Sequence, residues 1–155
     1  MRVALLQYSI AWADKETNLR MAEEHIAALA GKADVAVLPE MFATGFCTDH
    51  PELAETMDGE IIRRLQAVAD KTGVAIVSSF ICLPDSRHLL PDTPAKLRNR
   101  GFMIKPHAEI EIQDKRHLYA HGGEDLFFQP AQKRHIFEYK GVKFLLLVCY
   151  DLRFP

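Results

Sequence analysis

The chain has 155 residues, of which 48% are apolar, and its 19 basic and 21 acidic side chains give a formal charge of −2 at neutral pH. This balance argues against a protein that binds nucleic acid through a basic surface, and the apolar fraction argues against an intrinsically disordered segment. We therefore expect one globular domain with an ordinary hydrophobic core.

The first half of the chain predicts strands that alternate with helices. The predicted elements are, in order, a strand at 3–8, a helix from Leu19 to Leu29, a strand at 35–38, a helix at 58–71 and a strand at 74–82. Thr17 or Asn18 is the expected N-cap of the first helix, and Gly31 is its expected left-handed stop. Gly73 follows the second helix in the same way.

The second half predicts a surface loop and then a run of strands. The predicted elements are a loop at 83–99 that holds three prolines, strands at 100–104 and 109–113, a loop at 114–132, and strands at 136–139 and 142–148 joined by a Lys140-Gly141 turn. In the strand at 109–113, Ile110 and Ile112 are expected to face inward and the glutamates outward. This order of elements indicates an α/β protein with a mixed sheet and helices on one face.

The last predicted strand has no element after it to cover it. Its apolar residues, Phe144 to Val148, are typical of a strand at the centre of a sheet, buried on both faces. We therefore expect residues 1–155 to be the N-terminal portion of a longer domain, or a partner to supply the missing layer.

The cysteines and the apolar runs indicate the compartment. Cys47, Cys82 and Cys149 are an odd number at irregular spacing, which argues against a disulfide framework and against a zinc site. The apolar run at 3–6 is shorter than the core of a signal peptide, and the run at 144–150 is much shorter than a membrane span. We expect a cytoplasmic protein without membrane contact.

Three reactive side chains follow three of the predicted strands: Glu40, Lys115 and Cys149. In open α/β sheets, active sites collect beyond the ends of the strands. Taken singly, each residue also has an ordinary structural explanation, since a cysteine after an apolar strand packs as a small hydrophobe and charged residues in turns are usually solvated. The segments around the three residues decide between these interpretations.

Three segments resemble the signature blocks of the nitrilase superfamily, the carbon-nitrogen hydrolases: LPEMF at 38–42, DKRHLY at 114–119 and VCYDLRFP at 148–155. Their order and spacing are also similar, and the resemblance runs from residue 2 to residue 155. The stretch KRHLY and the pair Gly123-Glu124 are most similar to the omega-amidase branch. This resemblance implies an α-β-β-α sandwich, of which residues 1–155 are the N-terminal part of the carbon-nitrogen hydrolase domain.

The resemblance also implies roles for the three residues. Cys149 is the nucleophile, and it needs a base because a free thiol is only a few per cent ionised at neutral pH. Glu40 is that base, and it later activates the water that hydrolyses the thioester. Lys115 and the backbone N–H of Tyr150 stabilise the oxyanion.

Glu124 and Phe42 each have a functional and a structural interpretation. Glu124 matches the second glutamate that many family members hold beside the lysine, or it is simply polar loop. Phe42 lines the substrate pocket, or it belongs to the core. Asp151 and Arg153 are interpreted as residues that brace the turn carrying Cys149.

Metals and cofactors are not expected. His117 and His121 are four residues apart, which suits a metal on a helix, but no carboxylate or thiol pair has a matching spacing. Cys47 and Cys82 are expected to be unreactive. The proline-containing stretch at 83–98 is longer than the hairpin that the family resemblance implies.

The sequence therefore predicts hydrolysis of the amide C–N bond of a small carboxylate-bearing molecule, with release of ammonia. Nitriles and N-carbamoyl amines remain alternatives, because the same three residues serve those reactions. A non-catalytic binding or assembly module is a second class. A cysteine phosphatase is rejected, because Cys149 and Arg153 are separated by three residues rather than five. The expected partners are the amide substrate, water and, from the family resemblance, a second copy of the chain in a dimer.

Overall fold

The computed structural model describes residues 1–83 and 96–154. The strands are β1 (Val3–Leu5), β2 (Val35–Val37), β3 (Ala75–Cys82), β4 (Arg98–Ile104), β5 (Glu111–Asp114), β6 (Ile136–Tyr139) and β7 (Val142–Leu145). The helices are α1 (Lys15–Ala27), α2 (Glu60–Thr72) and the short α3 (Glu124–Phe127). Strands β1 to β5 form one sheet, and β6 and β7 form a hairpin. None of the described helices is long and apolar enough to cross a membrane.

The five-stranded sheet is mixed and keeps its strands in chain order. β1, β2 and β3 run parallel, because α1 and α2 carry the chain back between them, whereas β4 and β5 are antiparallel to their neighbours. The longest ladder joins β3 to β4, from Ile76 opposite Ile104 to Cys82 opposite Arg98. The predicted α/β class with a mixed sheet is confirmed.

Both long helices pack on one face of this sheet, as predicted. The core between them and the sheet includes Ile26 from α1, Leu65 from α2, Phe80 from β3 and Phe102 from β4. α2 ends at Thr72, and Gly73 follows with φ +71°, a left-handed conformation that glycine adopts without strain.

The start of α1 differs from the prediction. Its N-cap is Asp14, whose carboxylate accepts a hydrogen bond from the Thr17 N–H at 3.1 Å, rather than Thr17 or Asn18. The Asn18 side chain is buried and is bonded to backbone groups of Ala11 and Ala43, so it ties α1 to the segment after β2.

The bounds of two elements also differ from the prediction. α1 ends at Ala27 rather than Leu29, and its chain then turns through Gly31 at φ +72°. β1 covers only three residues, because its partner β2 is equally short and the ladder ends at Leu5 opposite Val37.

The region from β4 to β5 corrects two further expectations. β4 begins at Arg98, because Arg98 and Asn99 continue the ladder with β3, so the predicted loop at 83–99 ends earlier. Residues 84–95 of that loop lie outside the described residues. In β5 the predicted faces are reversed at two positions: Ile112 is 41% exposed, whereas Gln113 is buried because it bonds to the backbone of Lys133 and His135.

The hairpin of β6 and β7 forms a third layer on the sheet face opposite the helices. Lys140 and Gly141 make the predicted turn, with φ of +50° and +74°, and Phe137 packs against the sheet with Val77 and Met103. β7 ends at Leu145 and its outer side is open to solvent. The predicted strand at 142–148 thus ends three residues earlier than expected, and among the described residues β6 is its only partner.

Candidate active site

Four of the predicted site residues meet where the sheet and the hairpin adjoin. Glu40 follows β2, Lys115 follows β5 and Glu124 begins α3. The Lys115 Nζ lies 2.8 Å from Glu40 Oε1 and 2.9 Å from Glu124 Oε2. The side chains of Lys115 and Glu124 are completely buried, whereas that of Glu40 is 18% exposed. Cys149, the fourth, opens a 3-10 turn after β7.

The two carboxylates keep Lys115 charged. Burial works against the ammonium form, but the charges and hydrogen bonds of Glu40 and Glu124 outweigh it, so the pKa of Lys115 is raised above its ordinary value. The ring of Phe46 lies 5.3 Å from the Lys115 Nζ and adds a cation–π contact. The lysine is thus a fixed cation in a water-poor setting.

Asn99 on β4 is a member of the site that the sequence did not single out. Its Nδ2 lies 2.8 Å from Glu40 Oε1 and 2.8 Å from Glu124 Oε1, so one amide donates to both carboxylates. Its backbone carbonyl accepts the Lys115 N–H at 2.9 Å. A single asparagine at the start of a strand carries no motif, so only the fold reveals its place.

Cys149 occupies a strained turn. Its φ of +45° lies in the left-handed region, which costs about 1–2 kcal/mol for a residue with a side chain. The buried Asp151 carboxylate holds this turn, since it accepts the N–H groups of Val148, Arg116 and His117 at 2.8–3.1 Å. Asp151 therefore joins the turn that carries the thiol to the segment that follows Lys115.

The thiol of Cys149 is neutral at rest. Partial desolvation and the carboxylate of Glu40 raise the pKa of the Cys149 thiol, whereas the charge of Lys115 lowers it by less. Cys149 is exposed, and it borders a cavity of about 370 Å³ together with Glu40. The walls of this cavity are otherwise mainly apolar side chains from β2, β3 and residues 146–148.

The Tyr150 N–H is available as a donor next to the thiol. Among the described residues no backbone or side-chain acceptor pairs with it, whereas the Asp151 N–H bonds to Val148 O at 3.1 Å. The Tyr150 ring packs edge-on against Tyr119 and Phe154. A free N–H directly after the cysteine, at the start of a short helical turn, suits an oxyanion.

The remaining predicted residues have structural surroundings. Phe42 is completely buried in the core beneath the helices, with its ring edge-on to Phe102, which favours the core alternative. Cys47 and Cys82 are buried, and desolvation raises the pKa of Cys82 to about 11.

The two histidines and Arg153 have no common partner among the described residues. The Nδ1 of His117 is 3.0 Å from Asp151, and its ring stacks on Phe154, whereas the ring of His121 packs against Tyr119. Arg153 is exposed at the end of the turn, so Asp151 rather than Arg153 braces it.

Comparison with known proteins identifies relatives along the whole chain. The family model described as carbon-nitrogen hydrolase matches residues 2–155. The omega-amidase YafV of Escherichia coli (strain K12) is 32% identical over 155 residues, which cover 100% of this chain and 56% of that protein. The chain thus spans just over half the length of this curated relative.

Solved structures share the fold. The crystal structure of XC1258 from Xanthomonas campestris, a CN-hydrolase superfamily protein with an arsenic adduct in the active site, superposes with a TM-score of 0.89 at 32% identity and covers 99% of this chain and 55% of its own. A mutant amidase from Nesterenkonia sp. AN1, which carries acrylamide added to its active site cysteine, has a TM-score of 0.82 at 25% identity, with 100% and 59% covered. The nitrilase-like fold is therefore confirmed.

Proposed function

Because this chain belongs to the carbon-nitrogen hydrolase family, we propose that it carries the catalytic residues of an omega-amidase-like enzyme, which hydrolyses the amide C–N bond of a small carboxylate-bearing molecule. The observation that carries the proposal is the buried Lys115 between Glu40 and Glu124, beside an exposed cysteine in a left-handed turn. A surface lysine or an ordinary core cysteine would have none of these features.

The first half of the proposed reaction forms a thioester. Glu40 accepts the proton of Cys149, and the Sγ attacks the amide carbon. Lys115 has three N–H donors and gives two to carboxylates, which leaves the third for the oxyanion together with the Tyr150 N–H. Glu40 then returns its proton to the leaving nitrogen, the C–N bond breaks, and ammonia departs.

The second half releases the acid. Glu40 takes a proton from a water molecule, whose oxygen attacks the thioester carbon and forms a second oxyanion in the same place. When this intermediate collapses, the C–S bond breaks, the proton goes back to the Cys149 sulfur, and the carboxylic acid leaves. The raised pKa of Cys149 suits this cycle, because the thiol is neutral before and after each turnover.

We further propose that residues 1–155 are the N-terminal part of the domain, that the enzyme is cytoplasmic and that, as the family resemblance implies, it is a homodimer. In support, Val142 and Leu145 on the outer side of the hairpin are 42% and 44% exposed, and such apolar side chains are suited to cover by further structure.

The test uses protein expressed from the complete reading frame that contains these residues. Ammonia release is measured with short omega-amides, and nitriles and N-carbamoyl amines are assayed for comparison. Replacement of Cys149 by Ala is expected to lower kcat by about 10⁴-fold or more and to leave the circular dichroism spectrum unchanged. Cys82→Ala serves as the matched control and is expected to keep its activity, because that thiol is buried in β3.

Three outcomes of these assays would contradict part of the proposal. Turnover that survives in Cys149→Ala contradicts the role of the nucleophile. Hydrolysis of nitriles or N-carbamoyl amines alone replaces the proposed substrate class with one of those. A wild-type protein that folds but hydrolyses none of the compounds indicates a binding or assembly module instead.

A further inference from the structure

We propose that Asn99 is a positioning residue, which holds Glu40 and Glu124 in place by giving one amide N–H to each carboxylate. The inference rests on the proposed function, since it assigns Asn99 a task in that reaction. Asn99 is 1% exposed, and its Nδ2 lies 2.8 Å from an oxygen of each glutamate. Like Lys115, it bonds to both carboxylates.

The hydrogen bonds determine which oxygen of Glu40 is free for chemistry. Glu40 Oε1 accepts from both Asn99 Nδ2 and Lys115 Nζ at 2.8 Å, whereas no hydrogen bond to its Oε2 occurs among residues 1–83 and 96–154. The second oxygen is therefore the one that exchanges a proton with Cys149. Without Asn99, the carboxylate could rotate about its single remaining contact.

Charge explains why a neutral donor is needed here. Two carboxylates share one ammonium, so the cluster has an excess negative charge and the two carboxylates repel each other. The amide of Asn99 stabilises both anions without adding a second cation, which would attract the thiolate and weaken its attack.

The orientation of the Asn99 amide supports a positioning role. Both neighbours are acceptors, so the Nδ2 must face them, and the Oδ1 is left buried without a partner among the described residues. Asn18, by contrast, is a buried asparagine with partners for both its oxygen and its nitrogen. The Asn99 Oδ1 is thus left without a hydrogen bond because the Nδ2 donates to the two carboxylates.

The test compares Asn99→Leu, which removes the donors at similar size, and Asn99→Asp, which replaces them with an acceptor. The protein is expressed from the complete reading frame, and kcat and KM are measured from pH 5 to pH 9 on an amide that the wild type hydrolyses. We expect kcat to fall about 10- to 100-fold in Asn99→Leu, with KM changed less than about threefold. The acidic limb of kcat/KM should move to higher pH, and further still in Asn99→Asp.

Controls separate positioning from folding. Asn18→Leu also loses a buried amide, and it is expected to lower the melting temperature without moving the acidic limb. If Asn99→Leu does not fold, Asn99→Ser takes its place, because serine is smaller and its single O–H cannot donate to both carboxylates at once. A pH profile that keeps its wild-type limb in folded Asn99 variants, or moves equally in Asn18→Leu, overturns the inference.

A second measurement does not depend on turnover. In protein labelled with ¹³C at the glutamate carboxyl groups, the resonances of Glu40 and Glu124 are assigned with Gln variants and titrated. We expect their titration midpoint to lie at higher pH in Asn99→Leu than in the wild type, and an unchanged midpoint overturns the inference. A wild type that hydrolyses no substrate defeats the proposed function alone, because this titration still tests Asn99.

Discussion

Cys149 lies in the field of groups with opposite charge. Burial raises the pKa of the thiol the most, the carboxylate of Glu40 raises it further, the ammonium of Lys115 lowers it, and Glu124 raises it by the least. The order of these effects makes the thiol a sensitive probe of the site. Glu40 therefore has two effects. Its charge hinders ionisation of the thiol at rest, and its carboxylate accepts the proton of the thiol during the reaction.

Replacement of Glu40 by Gln should therefore let the Cys149 thiol ionise at lower pH and yet slow amide turnover. Without the neighbouring negative charge, the apparent pKa of Cys149, measured by the pH dependence of alkylation with iodoacetamide, should fall. Amide turnover should fall by about 10²–10⁴-fold, because the base is lost. Glu124→Gln is the comparison and should lower the apparent pKa by a smaller amount.

This prediction has a clear contrary outcome. An apparent pKa of Cys149 that rises in Glu40→Gln would mean that Glu40 stabilises the thiolate rather than the thiol. Alkylation of Cys47 or Cys82 is not expected to interfere, since both thiols are buried and desolvation raises the pKa of each.

The sequence alone indicated the charged residues of the site but not Asn99, which bonds to both carboxylates. Glu40, Lys115, Glu124 and Cys149 each lie in or near a family-like segment, and the structure brings them together. Asn99 has no such segment around it, and its importance comes from the alignment of β4 with the loops on either side. Such a contact depends on tertiary geometry, which composition and periodicity do not contain.

β4 is the element that links the sheet to the site. Asn99 and Gly101 are two residues apart and so project from the same face, toward the hairpin and the residues before Cys149. A Cβ built on Gly101 would lie 2.7 Å from Gln113 O, 2.8 Å from Leu146 Cδ2 and 3.0 Å from Val148 Cγ2. The absence of a side chain there lets residues 146–148 lie close to the sheet.

Replacement of Gly101 by Ala should displace the segment that carries the thiol. We expect the free energy of unfolding to fall by about 1–3 kcal/mol, because the clash involves a backbone oxygen that cannot move freely. Amide turnover should fall by about tenfold or more, because small displacements of reacting groups are costly. Chemical denaturation and ammonia release measure the two effects.

Gly73→Ala is the matched control. The space around a Cβ at position 73 is open, but the φ there is +71°. The substitution should therefore lower the free energy of unfolding by about 1 kcal/mol through backbone strain and leave kcat unchanged. If Gly101→Ala keeps the wild-type kcat, the close approach at β4 does not determine the position of Cys149.

Helices and strands could be predicted from the sequence where the apolar spacing of a segment agrees with its burial in the structure. α2 shows this agreement, since its apolar spacing and Gly73 mark both its inner face and its end. The prediction was wrong for the end of β7 and for the faces of β5, because an apolar run does not show where its ladder ends, and Gln113 is buried where it bonds to the chain before β6. These outcomes depend on contacts between distant segments.

Three hydrophobic clusters occur among residues 1–83 and 96–154, and two of them pack against opposite faces of the sheet. The larger core lies between the helices and the sheet, and the smaller one lies between the sheet and the hairpin, where Phe137 is 5% exposed. Glu40, Lys115 and Glu124 are held by segments that follow the sheet, whereas Cys149 follows the hairpin. The distance between thiol and base therefore depends on how firmly the hairpin packs.

Two conservative substitutions should test this arrangement. Phe137→Leu in the smaller core and Phe80→Leu in the larger core are each expected to lower the free energy of unfolding by about 1 kcal/mol, because volume is largely kept. Only Phe137→Leu should lower kcat, by about tenfold, since it loosens the layer that carries Cys149. Phe80 is 1% exposed and serves as the matched control. Equal losses of kcat in the two variants, at matched loss of stability, would show that the packing of the hairpin has no special role in placing the thiol.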